Sequence, residues 1–387
     1  MHYHVVVVGG GPAGSGAGIT LQKAGVSTCI VDCRTFPRTK LCGGLVTRKT
    51  KELLNTLMED RSEADIWDAV STGTHTRLKL YNRFELAADV RIGEAFDTVY
   101  RKDYDNYLME YYKEKGGTLY DGMTLQSIDT QAKKLVGTKG ETFTYDSLIA
   151  ADGANSWVRR QLGLSIKGRL FCLEINVSRD DFDYDGVGIY FDVIGVGYAW
   201  VFPKRDVYCI GIGSVERPQT DTKAIFTDFL QRIGVRNLER YPFKGAYVPG
   251  GGFLKKPVFG DALLFAGDAA GFADPLTGEG LYWSLYSGMQ AAQAVLQSPL
   301  HPAEVYVKSC LPIQQNIRSV LRTRILFHKP LYQFWLRNVG AHPDFVRYFS
   351  DHQLSRYEGE GLVRDLLRKV PKRYLSHLLK PFSKKDK

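Results

Sequence analysis

The chain has 387 residues, of which 44% are apolar and 24% charged. These proportions are typical of a folded globular protein and exclude both an intrinsically disordered chain and a membrane-spanning bundle. Residues 361–387 carry nine Lys or Arg against two Asp, a local charge of +7 that leaves +2 of the net +9 for the rest of the chain. Because the body is nearly neutral, we expect no nucleic-acid partner.

Cysteine usage and the N-terminus indicate the cellular compartment. The six cysteines show no paired metal-ligand spacing and no His-rich partner motif, so we predict a reducing environment and no metal site. Residues 1–10 carry no basic segment followed by a long apolar one, and no stretch approaches 18 apolar residues. These features predict a cytoplasmic protein.

The first predicted elements form a strand, a helix and a second strand. Val5–Val8 is a β-branched run, residues 12–24 have a helical pattern that ends at Gly25, and Cys29–Val31 is again apolar. Gly9, Gly11 and Gly14 lie between the first strand and the helix in the spacing G-x-G-x-x-G. The first glycine permits a tight turn, the second lets a pyrophosphate approach the backbone, and the third allows close helix packing.

Asp32 ends the second predicted strand, 18 residues after Gly14. A carboxylate at this position can accept hydrogen bonds from both hydroxyls of a ribose. The combination predicts a dinucleotide site, although NAD and FAD share this first fingerprint.

Two later strands end in further motifs. Residues 143–151 precede Asp152-Gly153, within the sequence DGANSWVR, and residues 262–266 precede Gly267-Asp268. With the first fingerprint, these motifs make the chain resemble the flavoprotein hydroxylase-like superfamily. The resemblance implies that FAD is the cofactor, with Asp268 at its ribityl and pyrophosphate region and Asp152 beside the pyrophosphate.

A turn of sequence DPLTGEGL (274–281) opens a helix predicted to run to about Leu296. The free amide groups and positive dipole of such a helix start suit the flavin edge that becomes anionic on reduction.

Four local patterns are similar to those of the geranylgeranyl reductase family. They are PRTKLCGG (37–44), the turn 274–280, YAWVFP (198–203), and Arg101 followed by Tyr104-Asp105. The resemblance covers residues 5 to about 300 and implies contacts to FAD and to an isoprenoid-like substrate. In one departure, Gly195 replaces the Pro that begins the substrate motif of the family.

The resemblance implies two sets of binding residues. The expected cofactor residues are Gly9, Gly11, Pro12, Ala13, Gly14, Asp32, Lys40, Cys42, Gly43, Gly44, Arg101, Leu125, Asp152, Gly153, Gly267, Asp268, Pro275, Gly278, Gly280 and Leu281. The expected substrate residues are Tyr198, Trp200, Phe202 and Pro203. Alternate residues of a strand share a face, so the aromatic residues of the second set could instead form part of the sheet core.

Cys42 and Glu279 are the candidate proton donors. A thiol in a glycine-rich loop could touch the flavin or protonate a reduced alkene, whereas Cys42 could equally be a small packing residue. Glu279 could act as an acid or simply stabilise the first turn of its helix.

The predicted fold is α/β, with a Rossmann-like FAD-binding domain, an inserted antiparallel β-sheet substrate domain and a helical C-terminal region. Aromatic-rich alternating segments between residues 165 and 250 indicate the antiparallel sheet. We assign residues 1–75, 99–164 and 251–300 to the FAD-binding domain, 76–98 and 165–250 to the substrate domain, and 301–387 to the helical region with its basic tail.

The sequence therefore predicts an FAD-dependent reductase that transfers hydride to carbon-carbon double bonds of an isoprenoid or other apolar, lipid-like substrate. NAD(P)H or a reduced redox protein remains open as the electron donor. The alternatives are an aromatic hydroxylase or monooxygenase, a halogenase, and a non-catalytic flavin-bearing sensor. Halogenases carry W-x-W-x-I-P and a catalytic Lys, whereas this chain has Tyr198 for the first Trp.

The last residues combine charge with helical apolar spacing. Leucine, valine and aromatic side chains recur between the basic residues of 361–387. Such a segment can lie on an anionic membrane surface, or it can pack on the body with a solvated basic face. The membrane alternative implies a peripheral location on the inner face of the membrane.

Overall fold

The computed structural model describes residues 1–195, 197–214, 221–323 and 346 of the chain. The basic tail 361–387 lies outside these residues, so its predicted role stays a prediction.

A first sheet contains the predicted strand-helix-strand unit. In the described part of the chain it has eight strands: β1 (His2–Val8), β2 (Thr28–Val31), β6 (Thr118–Tyr120), β7 (Leu125–Asp129), β8 (Lys134–Gly137), β9 (Thr142–Ala150), β15 (Val258–Phe259) and β16 (Leu263–Phe265). The order is β15-β16-β9-β1-β2-β6, and β8 pairs with both β7 and β9. Pairs β6-β2, β2-β1, β1-β9 and β9-β16 are parallel. Strands β2 and β16 are buried along their whole length, and β1 and β9 are buried towards their carboxyl ends, as apolar runs in a covered parallel sheet require.

A second sheet combines strands from the predicted antiparallel segment 165–250 with strands from two earlier segments, residues 45–46 and 71–99. Among the residues described, it has eight strands: β3 (Leu45–Val46), β4 (Ser71–Asn82), β5 (Glu85–Val99), β10 (Arg169–Ser178), β11 (Val187–Phe191), β12 (Gly197–Pro203), β13 (Val207–Ser214) and β14 (Lys244–Pro249). The order is β14-β10-β13-β12-β11-β4-β5-β3. The sheet is antiparallel as predicted except at β11-β4, which is a parallel pair.

Helices pack against both sheets. Those described are α1 (Pro12–Lys23), α2 (Arg48–Leu57), α3 (Glu63–Val70), α4 (Arg101–Glu114), α5 (Trp157–Gln161), α6 (Thr222–Arg232), α7 (Leu281–Gln297), α8 (Pro302–Ser309) and α9 (Leu311–Thr323), with short 3-10 turns at Leu238–Arg240 and Gly267–Ala269. The predicted first helix agrees with α1, and Gly25 after it has φ +72°. The predicted α/β class and C-terminal helices are confirmed as far as α9.

Glycines bring α1 and α7 into close contact where both helices pack on the central strands of the first sheet. A Cβ on Gly288 would lie 2.0 Å from the carbonyl oxygen of Ala13, and one on Gly16 would lie 3.0 Å from Leu285. Side chains larger than hydrogen would force the helices apart. This contact fixes the start of α7 relative to the start of α1.

Candidate functional site

The three predicted fingerprints meet at one edge of the first sheet. Strands β1, β2, β9 and β16 run parallel, so their carboxyl ends lie side by side. Gly9, Asp32, Asp152 and Asp268 follow these ends and line one cavity of about 840 Å³. Ligands of open α/β sheets bind at this edge.

Most of the predicted cofactor residues line that cavity. They are Gly9, Gly11, Pro12, Ala13, Asp32, Lys40, Cys42, Gly43, Gly44, Arg101, Leu125, Asp152, Gly153, Asp268, Pro275, Gly278, Gly280 and Leu281. Gly14 and Gly267 do not line it. A Cβ on Gly14 would lie 1.8 Å from the carbonyl oxygen of Gly9, and the Gly267 amide donates to Ser287 Oγ at 2.8 Å. These two glycines lie outside the cavity lining and pack against the residues that form it.

The start of α1 leaves backbone donors open to the cavity. Gly11 caps the helix without a side-chain hydrogen bond, and Gly9 has φ +101°. A Cβ on Gly11 would meet only Arg38 Nη2, at 3.4 Å. Since the first amides of a helix lack intrahelical partners, this open surface can receive a phosphate.

Asp32 is held in place by the backbone. Its Oδ2 accepts from the Gly10 amide at 2.7 Å and its Oδ1 from the Arg34 amide at 2.8 Å. Each carboxylate oxygen has a further lone pair for a ligand hydroxyl. The guanidinium of Arg38 lies 3.5 Å from Asp32 and 3.2 Å from Asp105, a bridge that sequence reasoning missed.

Asp105 also anchors the predicted cofactor residue Arg101. The two side chains form a bidentate pair at 2.7 and 2.8 Å, and both are buried. The spacing i,i+4 on α4 makes this pairing possible. Arg101 therefore presents a fixed surface to the cavity.

Asp152 provides a direct test of whether a polar cofactor fits. Its Oδ2 accepts from the Val158 amide at 3.0 Å, whereas its Oδ1 is buried without a hydrogen-bond partner among the described residues. Burial raises the pKa of this carboxyl, although Ser156 and nearby backbone amides oppose the shift. A buried polar atom without a partner is costly. A donor on a bound cofactor would satisfy it, so the site fits FAD at this position.

The turn before α7 completes the polar wall. Asp274 Oδ1 accepts from the amides of Leu276 and Thr277, each at 2.9 Å, which shapes the turn. Gly280 caps α7 without a side-chain hydrogen bond, and a Cβ there would lie 3.4 Å from Asp268 Oδ1. The first amides of this 17-residue helix are thus available to a partly negative group.

Glu279, a predicted proton donor, lines the cavity but is engaged by two donors. Its Oε2 lies 2.5 Å from Lys49 Nζ, and its Oε1 accepts from Thr47 Oγ1 at 2.6 Å. In this structure Glu279 therefore serves as a hydrogen-bond acceptor that ties α2 to the start of α7.

Three of the four predicted substrate residues line the cavity from β12. The ring centroids of Tyr198 and Trp200 are 5.9 Å apart, and those of Trp200 and Phe202 are 6.0 Å apart. Pro203 does not line the cavity. Its carbonyl accepts from Thr98 Oγ1 at 2.8 Å, which holds the end of β12.

The part of the cavity lined by the second sheet is mostly apolar, with Cys172, Glu174 and Asp192 as its polar members. Besides the three rings of β12, its wall contains Leu78, Leu80, Phe96, Leu170, Val187, Ile189, Phe191, Ala246, Val248 and Val346. The cavity therefore combines a polar end below the first sheet with an apolar end below the second.

Comparisons with known proteins agree with this geometry. The FAD binding domain family matches residues 2–297. An uncharacterized protein of Methanosarcina barkeri is 31% identical over 301 residues, covering 76% of this chain and 75% of that protein. A geranylgeranyl diphosphate reductase of Rhodobacter capsulatus is 29% identical over 311 residues, covering 76% and 75%. A digeranylgeranylglycerophospholipid reductase of Methanoculleus marisnigri is 25% identical over 395 residues, covering 96% of each chain.

The chain belongs to the FAD binding domain family, and it is similar to FAD-dependent oxidoreductases named geranylgeranyl reductases. This confirms the resemblance found in the sequence and the predicted enzyme class.

Solved structures show the same fold. A geranylgeranyl bacteriochlorophyll reductase-like protein of Thermoplasma acidophilum aligns with a TM-score of 0.72 at 21% identity, over 97% of this chain and 98% of that one. A halogenase in complex with FAD aligns with a TM-score of 0.70 at 18% identity, over 87% and 78%. At these identities the likeness concerns the fold alone.

None of the helices in the described ranges is long and apolar enough to cross a membrane.

Glu174 lines the cavity of this FAD-binding-family protein, but sequence reasoning did not identify it as a site residue. It lies on β10, is 7% exposed, and its Oε1 accepts from the Cys42 amide at 3.3 Å. In the sequence it stands between Leu173 and Ile175, where alternation predicts a solvent-facing polar residue. The alternation cannot tell a face that borders a cavity from one that borders water.

Proposed function

We propose that the protein is an FAD-dependent reductase that adds hydrogen across carbon-carbon double bonds of an isoprenoid or similar lipid-like substrate. The observation that carries the proposal is the single cavity whose polar end bears the three cofactor fingerprints and whose apolar end bears the rings of β12. The names of the reductases from Rhodobacter capsulatus and Methanoculleus marisnigri support a prenyl substrate.

The polar end supplies the cofactor contacts in this proposal. The open amides at Gly11 would hold the pyrophosphate, Asp32 the ribose hydroxyls, and Asp268 the ribityl region. The start of α7, at Gly280 and Leu281, would face the flavin edge. Bound FAD supplies hydride transfer once it has been reduced by two electrons.

The apolar end would position the substrate. An isoprenoid chain carries no hydrogen-bonding groups, so burial of its surface against aliphatic and aromatic side chains provides the binding energy, at about 25 cal/mol per Å². Tyr198, Trp200 and Phe202 belong to this apolar end and would hold the reacting double bond beside the cofactor while excluding water.

The proposal also includes the source of electrons for the flavin and the cellular location of the protein. NAD(P)H bound transiently or a reduced redox protein would reduce the flavin, since the sequence holds one dinucleotide fingerprint, which FAD occupies. A prenyl-lipid substrate and the basic tail 361–387 support work at the inner face of the membrane, from the cytoplasm.

The test is a single turnover without oxygen. Protein carrying FAD is reduced with dithionite, mixed with geranylgeranyl-bearing lipid or diphosphate, and the products are analysed by mass spectrometry. A mass gain of two hydrogens per turnover, coupled to flavin reoxidation, is expected.

A hydroxylase or halogenase would give a different result. Flavin that stays reduced with every prenyl substrate, but transfers oxygen to an aromatic compound after air is admitted, would contradict the reductase proposal. Absence of both reactions would favour a non-catalytic flavin protein.

A further inference from the structure

Glu174 lines the cavity from β10 of the second sheet. Its side chain extends from β10 towards the loop 40–44, and it contacts the Cys42 amide across 3.3 Å. The same loop places Gly43 against Phe202, because a Cβ there would lie 2.7 Å from the Phe202 ring. Glu174 thus reaches the cavity at the junction of the predicted cofactor loop and the ring cluster.

The surroundings of Glu174 are charged but do not neutralise it by direct contact. No Lys, Arg or His nitrogen lies within 4.0 Å of its carboxylate among the described residues. The groups that act on it electrostatically are Lys204, Lys40 and Lys244, from three separate segments. The thiols of Cys172 and Cys209 lie in its electrostatic range on β10 and β13.

Burial raises the pKa of the Glu174 carboxyl above its usual range, and the three lysines and the Cys42 amide oppose this only in part. A carboxyl with a raised pKa retains its proton closer to neutral pH, which is the property required of a general acid.

We propose that Glu174 is the proton donor of the reductase, delivering a proton to the alkene carbon that does not receive the hydride. The inference rests on the proposed function. In the step, the π bond of the alkene breaks and two C–H bonds form. Hydride from the reduced flavin, which loses two electrons, forms one, and the Glu174 proton forms the other. Glu174 is left as a carboxylate and regains a proton from water.

The two sequence candidates are less well placed for this role. Glu279 is engaged by Lys49 and Thr47, at 2.5 and 2.6 Å. Cys42 Sγ accepts a hydrogen bond from the Gly44 amide at 3.4 Å, so its loop conformation depends on the sulfur. The Cys42 backbone meanwhile orients Glu174.

The test compares Glu174→Gln with Cys42→Ala and Glu279→Gln. Glutamine keeps the volume of Glu174 and its acceptor for the Cys42 amide but has no titrating proton. For each variant we would measure FAD content, flavin reduction by dithionite, and single-turnover reoxidation by a prenyl substrate. Glu174→Gln should retain FAD and be reduced normally, while alkene reduction slows by about 10²- to 10⁴-fold.

A spectroscopic measurement tests the proton itself. Infrared difference spectra between wild type and Glu174→Gln, recorded from acid to neutral pH, should show a carboxylic acid carbonyl band in oxidised wild type that persists to higher pH than the band of an exposed carboxyl. Glu174→Asp, which keeps the acid but shortens it, should restore part of the rate and serves as a second variant if the glutamine variant folds poorly.

The outcomes separate the two proposals. Wild type that reduces no prenyl chain overturns the proposed function and the donor role together. Active wild type with Glu174→Gln within twofold of its rate, or an acid band that disappears at the pH of an exposed carboxyl, overturns the donor role alone. A larger loss in Cys42→Ala or Glu279→Gln than in Glu174→Gln also overturns it.

Discussion

The hydroxyl of Tyr198 donates a hydrogen bond to the carbonyl oxygen of Thr277. The bond joins β12 of the second sheet to the turn that precedes α7. Burial, and then the neighbouring Cys172 and Asp274, raise the pKa of this hydroxyl, so it remains a donor throughout the physiological range. A residue of the predicted substrate strand thereby sets the position of the predicted flavin-binding turn.

Replacing Tyr198 with Phe should slow catalysis more than it weakens folding. The ring remains, but the lost hydrogen bond costs about 0.5–1.5 kcal/mol and frees the turn. We expect a several-fold lower kcat with FAD still bound, measured by steady-state assay and flavin absorbance. Tyr306→Phe is the matched control, because that hydroxyl also donates to a backbone carbonyl, of Phe265 at 2.7 Å, away from the cavity. Equal loss of activity in both variants would contradict the positioning role.

Asp268→Ala should weaken FAD binding. Loss of one charge-assisted hydrogen bond costs about 1.5–3 kcal/mol, equivalent to roughly a 10- to 100-fold rise in Kd. Titration of apoprotein with FAD, followed by flavin fluorescence, measures the change. The exposed Asp261, before β16, provides the control variant Asp261→Ala, for which Kd should not change. Acid should release the flavin of the wild type, whereas colour left on the denatured chain would contradict noncovalent binding.

Trp200→Phe should lower kcat/KM for a long prenyl substrate by roughly tenfold, corresponding to about 1.4 kcal/mol. The indole fills the space beside Gly211, where a Cβ would lie 2.1 Å from its ring, and its loss would leave the substrate wall incomplete. Trp67→Phe is the control, since Trp67 is equally buried, at 6% against 7% exposure, but lies outside the cavity. Similar kinetics for both variants would assign Trp200 to the sheet core instead.

Glu174→Gln should stabilise the protein increasingly as pH rises. Burial raises the folded-state pKa of this carboxyl, so wild type loses stability from the unfolded pKa, about 4.3, upward through the folded one. The glutamine side chain does not ionise, so the variant does not lose stability in this pH range. The difference in Tm between variant and wild type, followed by thermal scans, should therefore be smallest at acid pH, grow as pH rises through the folded-state pKa, and stay constant above it. Exposed Glu85→Gln is the control, and a pH-independent difference for Glu174→Gln would contradict the shift.

Deleting residues 361–387 should abolish binding to anionic liposomes. Each basic residue near an anionic surface contributes about 1 kcal/mol, and salt screens the attraction. Cosedimentation with anionic vesicles should fall with added salt, and neutral vesicles serve as the control. Undiminished binding by a folded truncated chain would exclude the tail as the membrane contact.

Motifs set by local chemistry could be predicted from the sequence. The tight turn between a strand and a helix requires glycine at Gly9, Gly11 and Gly14. The carboxylates Asp32, Asp152 and Asp268 each follow a buried apolar strand. Because parallel strands end at one edge, these predictions placed the polar end of the cavity as the structure has it. Strand alternation likewise placed Tyr198, Trp200 and Phe202 on one face.

Contacts between distant segments were decided by tertiary packing. Glu174 meets Cys42 across 132 positions of sequence, and Glu279 meets Thr47 across 232. Side-chain periodicity shows which residues lie on the same face of a strand, but it does not show which segment of the chain packs against that face. The sequence by itself determined the FAD-binding class of the protein and the strand ends that line the cavity. The partners of each carboxylate, and with them its availability as an acid, depend on which segments the fold brings within hydrogen-bond distance.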